Sequence, residues 1–313
     1  MNLEYKNETK IELNIKEILT QNFKFSTRFI AKIKRDKKLS ICDAKDNKKS
    51  AYIYDTIKPN DTLIINLDFD DENDDIVPTK MDLDIIYEDD FMLIVNKPAG
   101  IAVHPTMRHF DNTLSNGVKF YYNSKNQKFA ISPVTRLDKD TSGIVVFAKY
   151  AFIHHDLSKQ MQTKEFVKKY LAVIEGVFEP QEGTINLPIT RKDASIIERQ
   201  VDINSTKEKE QAITHYKTIE TYDIQNTLSD GTITCDNMSL VEFTLDTGRT
   251  HQIRVHSSYM GHPLLGDTLY GNSSQLINRQ ALHAYYISFI HPVTNEKLEF
   301  KINLPQDIKE VIE

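Results

Sequence analysis

Residues 132–149 read SPVTRLDKDTSGIVVFAK, and the centre of that stretch, Arg136-Leu137-Asp138-Lys139-Asp140-Thr141-Ser142-Gly143, decides how the chain is read. A charged, turn-forming octet stands directly before Ile144-Val145-Val146-Phe147-Ala148, a short β-branched run closed by Lys149. Such a run is the pattern of a buried strand. A carboxylate carried on a loop at the mouth of a buried strand is where a scaffold exposes chemistry. Alone, an aspartate in Arg-Leu-Asp-Lys-Asp reads better as a turn or capping residue, so its surroundings must decide.

Outward from the octet, strands dominate. LDIIY (83–87) and FMLIV (91–95) read as strands joined by Glu88-Asp89-Asp90, with a loop at Asn96-Lys97-Pro98-Ala99-Gly100. KKYLAVIEG (168–176), QAITHYKTIE (211–220) and SLVEFTLD (239–246) alternate as strands, and AYYISFIH (284–291) and KLEFKI (297–302) finish the series. Leu114, Val118 and Tyr121 follow helical spacing, as do Ile153, Leu157 and Met161, and Thr250 to Met260 predicts a helix entered from Thr247-Gly248. Arg191 to Lys209 is polar and reads as a mobile excursion. Many strands and few helices, without βαβ alternation, predict an α+β fold around a largely antiparallel sheet.

The 313 residues, 40% hydrophobic and 27% charged, allow a sizeable core and about two domains. Two isolated cysteines, Cys42 and Cys235, exclude a disulfide scaffold and a cysteine-rich zinc site and fit a reducing cytoplasm. The histidines form no convincing metal set and no Gly-rich phosphate loop is present, so neither a metal nor a nucleotide cofactor is expected. No apolar run reaches membrane-spanning length, MNLEYKNETK lacks the apolar core of a signal peptide, and no coiled-coil stripe argues against a monomer.

The net charge of −6 conceals an uneven distribution. Between Gln21 and Lys49 the basic residues include Arg28, Lys32, Lys34, Arg35, Lys37 and Lys38, against only Asp36, Asp43 and Asp46. Asp68 to Asp75 is then almost wholly acidic. The chain therefore divides into a small basic domain at 1–67, an acidic linker at 68–80 and a main domain at 81–313. In the basic domain Ile11 to Leu19 and Ser26 to Ile33 read as helices, the second capped by Ser26, and residues 39–42 and 62–67 read as strands.

Five blocks resemble the RluA-type RNA pseudouridine synthases, in that family's order. They are YEDDFMLIVNKPAGIAVHP (87–105), RLDKDTSGIVVFAK (136–149), VKKYLAVIEG (167–176), TGRTHQIRVH (247–256) running on to GHPLLGDTLYG (261–271), and RQALHA (279–284) with HPVTNEKLEF after it. The resemblance implies isomerisation of uridine in RNA to its carbon-linked form, with Asp138 as catalytic carboxylate. It implies that Arg254 pairs with that carboxylate through a bidentate contact and that Tyr170 stacks on the target uracil. No cofactor is implied, because uracil is itself the electron sink. Arg136, Lys97, Arg249 and His251 are the substrate-contact candidates, Lys97 and Arg249 through phosphate or loop contacts. The family usually has histidine where this chain has Thr135.

The basic domain resembles the small alpha-L RNA-binding domain often joined to these enzymes, although Cys42-Asp43-Ala44-Lys45-Asp46 replaces its usual glycine turn. Arg28, Lys32, Lys34, Arg35, Lys37 and Lys38 become RNA-contact candidates. The expected partner is ribosomal RNA, most simply of the large subunit, with transfer RNA as the alternative. A non-catalytic RNA-binding assembly factor and a carboxylate glycosidase are the competing classes. The intact trio Asp138, Tyr170 and Arg254 counts against the first, and the lack of an evident second acid against the other.

Overall fold

The computed structural model describes residues 1–69, 75–107, 109–193, 195–227 and 233–313. Residues 70–74, the middle of the acidic tract, lie outside them.

The basic region builds a four-stranded sheet from β1 (Asn2–Lys6), β2 (Leu39–Cys42), β3 (Lys48–Ser50) and β4 (Thr62–Asn66), in the order β1-β4-β2-β3. Helix α1 (Thr27–Arg35) packs on it through Phe29, Ile30 and Ile33. The Ser26 hydroxyl accepts from the Phe29 amide at 3.2 Å, so the cap lies where the sequence puts it. The helix expected from Ile11 starts later. Asn14 caps at Lys16 (2.9 Å), Leu13–Asn14 pairs with Thr56 and Ile57, and only Ile15–Glu17 is α-helical before a π-turn at Ile18–Asn22.

The main sheet comprises ten strands among the described residues. Its strands include β5 (Asp84–Glu88), β6 (Met92–Lys97), β7 (Ser142–Ala148), β8 (Val167–Glu175), β9 (Glu182–Asn186), β12 (Ile213–Thr227), β13 (Ile233–Leu245), β14 (Leu282–Ile290) and β15 (Lys297–Lys301). The order is β9-β12-β13-β8-β14-β7-β6-β5, with β15 also on β14. Helices α2 (Leu114–Ser124) and α3 (Ala151–Thr163) cover opposite faces of β7. Val145 and Phe147 pack with Val118 and Tyr122 of α2, while Ile144 and Val146 belong to the cluster containing Ile153 and Leu157 of α3. All seven residues of β7 are buried, which explains its unbroken apolar run.

Among the described residues, β7 and β14 make the one parallel pairing, limited to Ser142↔His283 and Gly143↔Ala284. Gly143 has φ +122°, and a Cβ there would lie 2.2 Å from the Ala284 carbonyl oxygen. Only glycine fits this crossing. Further along, β14 takes β15 as its neighbour on the same edge, so the sheet forks and the Asp138 octet leaves from the fork.

The structure adds to the sequence reading in three places. The stretch 191–209, read as a mobile excursion, carries secondary structure among its described residues: β10 (Ile189–Arg191) pairs with β11 (Arg199–Val201), and a 3-10 turn follows at Glu208–Glu210. A short helix ends the chain, Gln306–Ile312, which Ile308 and Val311 bury against the sheet. The acidic tract is held at both ends, because Phe69 and Ile76 are buried. Phe69 lies 5.6 Å from Phe29, and Phe25 and Phe29 lie 4.9 and 5.2 Å from Phe152. One apolar cluster therefore joins the small sheet to the main one.

Candidate active site

Asp138 stands at the rim of a cavity of about 730 Å³ whose lining includes Arg136, Lys168, Tyr170 and Arg249. Its loop is clamped from several sides. The Lys97 ammonium donates to the carbonyls of Pro98, Ile101 and Lys139 at 2.8–2.9 Å. The Gly100 amide also donates to the Lys139 carbonyl (3.0 Å), and Arg279 donates to that of Asp140 (3.1 Å). Thr135, where the family has histidine, accepts from the Val146 amide at 3.2 Å. Backbone anchoring fixes the loop that carries the 26%-exposed Asp138 carboxylate.

Helix α4 (Gln252–Tyr259) supplies the opposing charge. Arg254 approaches Asp138 Oδ2 through Nη1 at 3.4 Å. Its bidentate contact, however, goes to Asp267, with Nε and Nη2 each 2.7 Å from a carboxylate oxygen. This corrects the expectation of a bidentate Arg254–Asp138 pair: the strongest geometry orients the arginine, and the free nitrogen faces the Asp138 carboxylate. Burial opposes the Arg254 charge, but the Asp267 hydrogen bonds and the charges of Asp267 and Asp138 outweigh it and raise its pKa. Asp267 is fully buried and also accepts from the Leu269 and Tyr270 amides (3.1 and 3.3 Å).

Tyr170 lies on β8 at a shift in register between Lys169 and Tyr170, an irregularity of the kind that re-aims a side chain. Burial, with the Asp138 charge beside it, pushes the phenol's pKa up. A phenol so shifted is a poor base at neutral pH and suits a stacking role. Lys168 also lines the cavity, and desolvation lowers its pKa. Sequence reasoning passed over it, although its place in the VKKY block was a usable signal. Asp267 and Tyr270 were passed over likewise, although both stand in the GDTLYG block.

The substrate-contact candidates divide. Arg136 is exposed at the cavity and free to meet a substrate. Lys97 is wholly buried with all three donors used by carbonyls, which rules out a phosphate contact and makes it a loop anchor; burial lowers its pKa to about 7, with Asp140 and Asp138 pulling against the shift. Arg249 lines the cavity but spends Nε on the Gln211 carbonyl (2.9 Å) and Nη2 on that of Glu208 (3.4 Å), the loop alternative. His251 is 12% exposed, with Nε2 3.9 Å from Asp138 Oδ1 and Nδ1 2.8 Å from the Tyr270 hydroxyl. It belongs to the floor around Asp138 rather than to an open contact surface.

The six basic candidates lie away from this cavity. Arg28, Lys34, Arg35 and Lys37 are exposed. Arg28, Lys32 and Arg35 line a second hollow of about 790 Å³ between α1 and residues of the main domain that include Ser132, Tyr150 and His155. Lys32 and Lys38 are partly withdrawn, standing 4.5 and 5.4 Å from the Phe69 ring centre, and Lys38 also donates to the Asp68 carbonyl. Arg35 pairs with Asp36 at 2.7 Å.

Residues 91–259, which contain Asp138, Tyr170 and Arg254, match the family described as RNA pseudouridylate synthase. The chain is 38% identical over 272 residues to a Bacillus subtilis (strain 168) protein named uncharacterized RNA pseudouridine synthase YjbO, covering 86% of this chain and 89% of that one. It is 36% identical over 245 residues to ribosomal large subunit pseudouridine synthase D of Zymomonas mobilis, covering 74% and 72%. The solved structure of human RNA pseudouridylate synthase domain containing 1 aligns with a TM-score of 0.55 at 26% identity, over 71% of this chain and 83% of that one. The block order and these matches agree: the chain belongs to the RNA pseudouridine synthases, and within them to the RluA type.

Proposed function

We propose that this enzyme isomerises specific uridines of large-subunit ribosomal RNA, with Asp138 as the catalytic carboxylate. The reaction breaks the bond between ribose C1′ and uracil N1, turns the base and joins C1′ to C5; the C5 proton leaves and N1 gains one. The observation that carries this reading is the placement of one partly exposed carboxylate at the rim of a 730 Å³ cavity, beside the Arg254 cation and the Tyr170 ring. Asp138 supplies the reacting oxygen, Arg254 fixes and balances its charge, and Tyr170 offers an aromatic face to a uracil turned out of its stack. The name ribosomal large subunit pseudouridine synthase D, carried by several relatives, supports the choice of RNA. The exposed cations of α1 would add phosphate contacts that position the enzyme without reading bases.

Tritium release from RNA labelled at uracil C5 tests the reading. Release from large-subunit ribosomal RNA, with little from a transfer-RNA pool, is the expected result. Release confined to transfer RNA would overturn the assigned substrate, and RNA binding without release from any pool would favour an assembly factor.

A further inference from the structure

His251 begins α4 with φ 57° and ψ 21°, a left-handed conformation that a residue carrying a Cβ adopts only at a cost. Gly248 stands three residues earlier, yet the left-handed position itself holds an imidazole. The strain places that ring between two partners. Nδ1 lies 2.8 Å from the Tyr270 hydroxyl, and Nε2 faces Asp138 Oδ1 at 3.9 Å.

The Tyr270 hydroxyl has a second neighbour whose role is unambiguous. The backbone amide of Arg199 donates to it at 2.8 Å. The phenol oxygen is thus already an acceptor, and its own proton is available for His251 Nδ1. An imidazole that accepts at Nδ1 carries its proton on Nε2, the nitrogen turned to the Asp138 carboxylate. The opposite tautomer would set the Nε2 lone pair against a carboxylate oxygen. Other charges face the ring as well: burial, Arg254 and Arg199 disfavour a second proton, while Asp138 and Asp267 favour one, and the balance lies towards the neutral ring.

We propose that His251 is a positioning residue for Asp138, locked by Tyr270 as the Nε2–H tautomer so that it donates to Asp138 Oδ1 while Arg254 holds Oδ2. The inference rests on Asp138 being the reacting carboxylate. At 3.9 Å the contact is longer than a hydrogen bond, and a small turn of the carboxylate would bring it within reach, as catalytic contacts commonly tighten on substrate binding. Tyr270 serves both partners of the carboxylate, because the Arg254 guanidinium lies 5.1 Å from its ring centre. Arg199 belongs to β11, so the polar hairpin beside the cavity takes part in setting the aspartate. The consequence is a defined carboxylate plane rather than one oxygen fixed and the other free.

Long-range proton–nitrogen NMR on the full chain, labelled at histidine and assigned with His251→Gln, reads the tautomer directly. The expected spectrum has an unprotonated Nδ1 at pH 7. Tyr270→Phe keeps the ring beneath Arg254 and removes only the hydroxyl. It should move the His251 signals towards a mixture of tautomers and lower kcat about tenfold at unchanged KM for RNA. His251→Gln, which can place an N–H near the Nε2 position, should retain more turnover than His251→Ala. A protonated Nδ1 in the wild type, or a Tyr270→Phe enzyme with wild-type kcat, would overturn the proposal. If Asp138→Asn still turned over, the underlying reading would fail instead, visibly so, because the tautomer would remain as measured.

Discussion

The Asp138 cavity and the outer face of α1 both work with charge, but they hold it differently. In the cavity Arg254 is 8% exposed and gripped on two nitrogens by a fully buried carboxylate, leaving a third nitrogen for Asp138. On α1 the Arg35 side chain is 72% exposed and pairs with the neighbouring Asp36, while Arg28, Lys34 and Lys37 are exposed as well. Buried pairs have strict geometry and leave an uncompensated charge when halved. Solvated cations have little geometry and act through their number. One region fixes where a charge stands, the other displays charge to solvent.

The contrast is sharpest at Asp138 itself. Asp138→Asn keeps the side chain's size and removes its charge. Turnover in the tritium-release assay should fall on the order of 10³-fold or more, with RNA affinity within about twofold of wild type. Comparable turnover would sink the catalytic assignment. A parallel loss of affinity would mean that the cavity, rather than the cations outside it, holds the RNA.

Next in size is the partner of Arg254. Asp267→Asn leaves a buried guanidinium without its bidentate acceptor, and such losses cost about 3–5 kcal/mol. Urea unfolding should show that drop, whereas Asp36→Asn on α1 should leave the midpoint unmoved. Equal effects at the two positions would break the distinction between placed and solvated charge.

Glu88 offers a test by pH. Burial works against its charge, yet hydrogen bonds from Lys149, Tyr121 and Lys125 prevail and hold its carboxyl down at about 2. The ordinary unfolded value is about 4.3. A depressed carboxylate contributes stability above its unfolded pKa, and that contribution is lost as pH falls through the folded one. Stability should therefore decline between about pH 4.5 and pH 2 less steeply in Glu88→Gln than in wild type, measured as the urea midpoint across that range. Parallel curves would show that Lys149, itself 2% exposed, is neutralised by something other than Glu88.

What could be read from the chain follows the same division. That Asp138, Tyr170 and Arg254 come together could be expected because the family's blocks carry residue types in a fixed order, and β7 was legible because seven buried positions leave no polar alternation. Asp267 and Tyr270 were quoted within a block yet given no role. Their partners Arg254, His251 and Arg199 lie 13, 19 and 71 residues away, and only folding brings them together. The 191–209 stretch looked unstructured because its polarity says nothing of the strand pairing within it or the Tyr270 hydroxyl that receives its amide. The C-terminal helix is seven residues long, too short for its period to stand out. For Lys97 the sequence left structural and phosphate contacts both open, because a lysine's sequence context does not reveal that carbonyls take all three of its donors.

The smallest expected effect is on the outer face of α1, and the fold dictates how to look for it. Removing residues 1–75 would strip Phe25 and Phe29 from Phe152, together with the Phe69 that packs on Phe29, so loss of binding could reflect an opened core rather than lost cations. Arg28, Lys34 and Lys37 are exposed and can be changed to glutamine together while Phe25, Phe29 and Phe69 stay in place. Each phosphate contact on a single strand contributes about 0.7 to the slope of log affinity against log salt. The triple variant should bind RNA more weakly at low salt, converge with wild type at high salt and show a slope shallower by about 2. Its kcat at saturating RNA should stay near wild type, because none of the three residues reaches the Asp138 cavity. An unchanged slope would remove the basic face from RNA binding altogether, whereas a fall in kcat would mean that α1 and the cavity are coupled through the aromatic cluster they share.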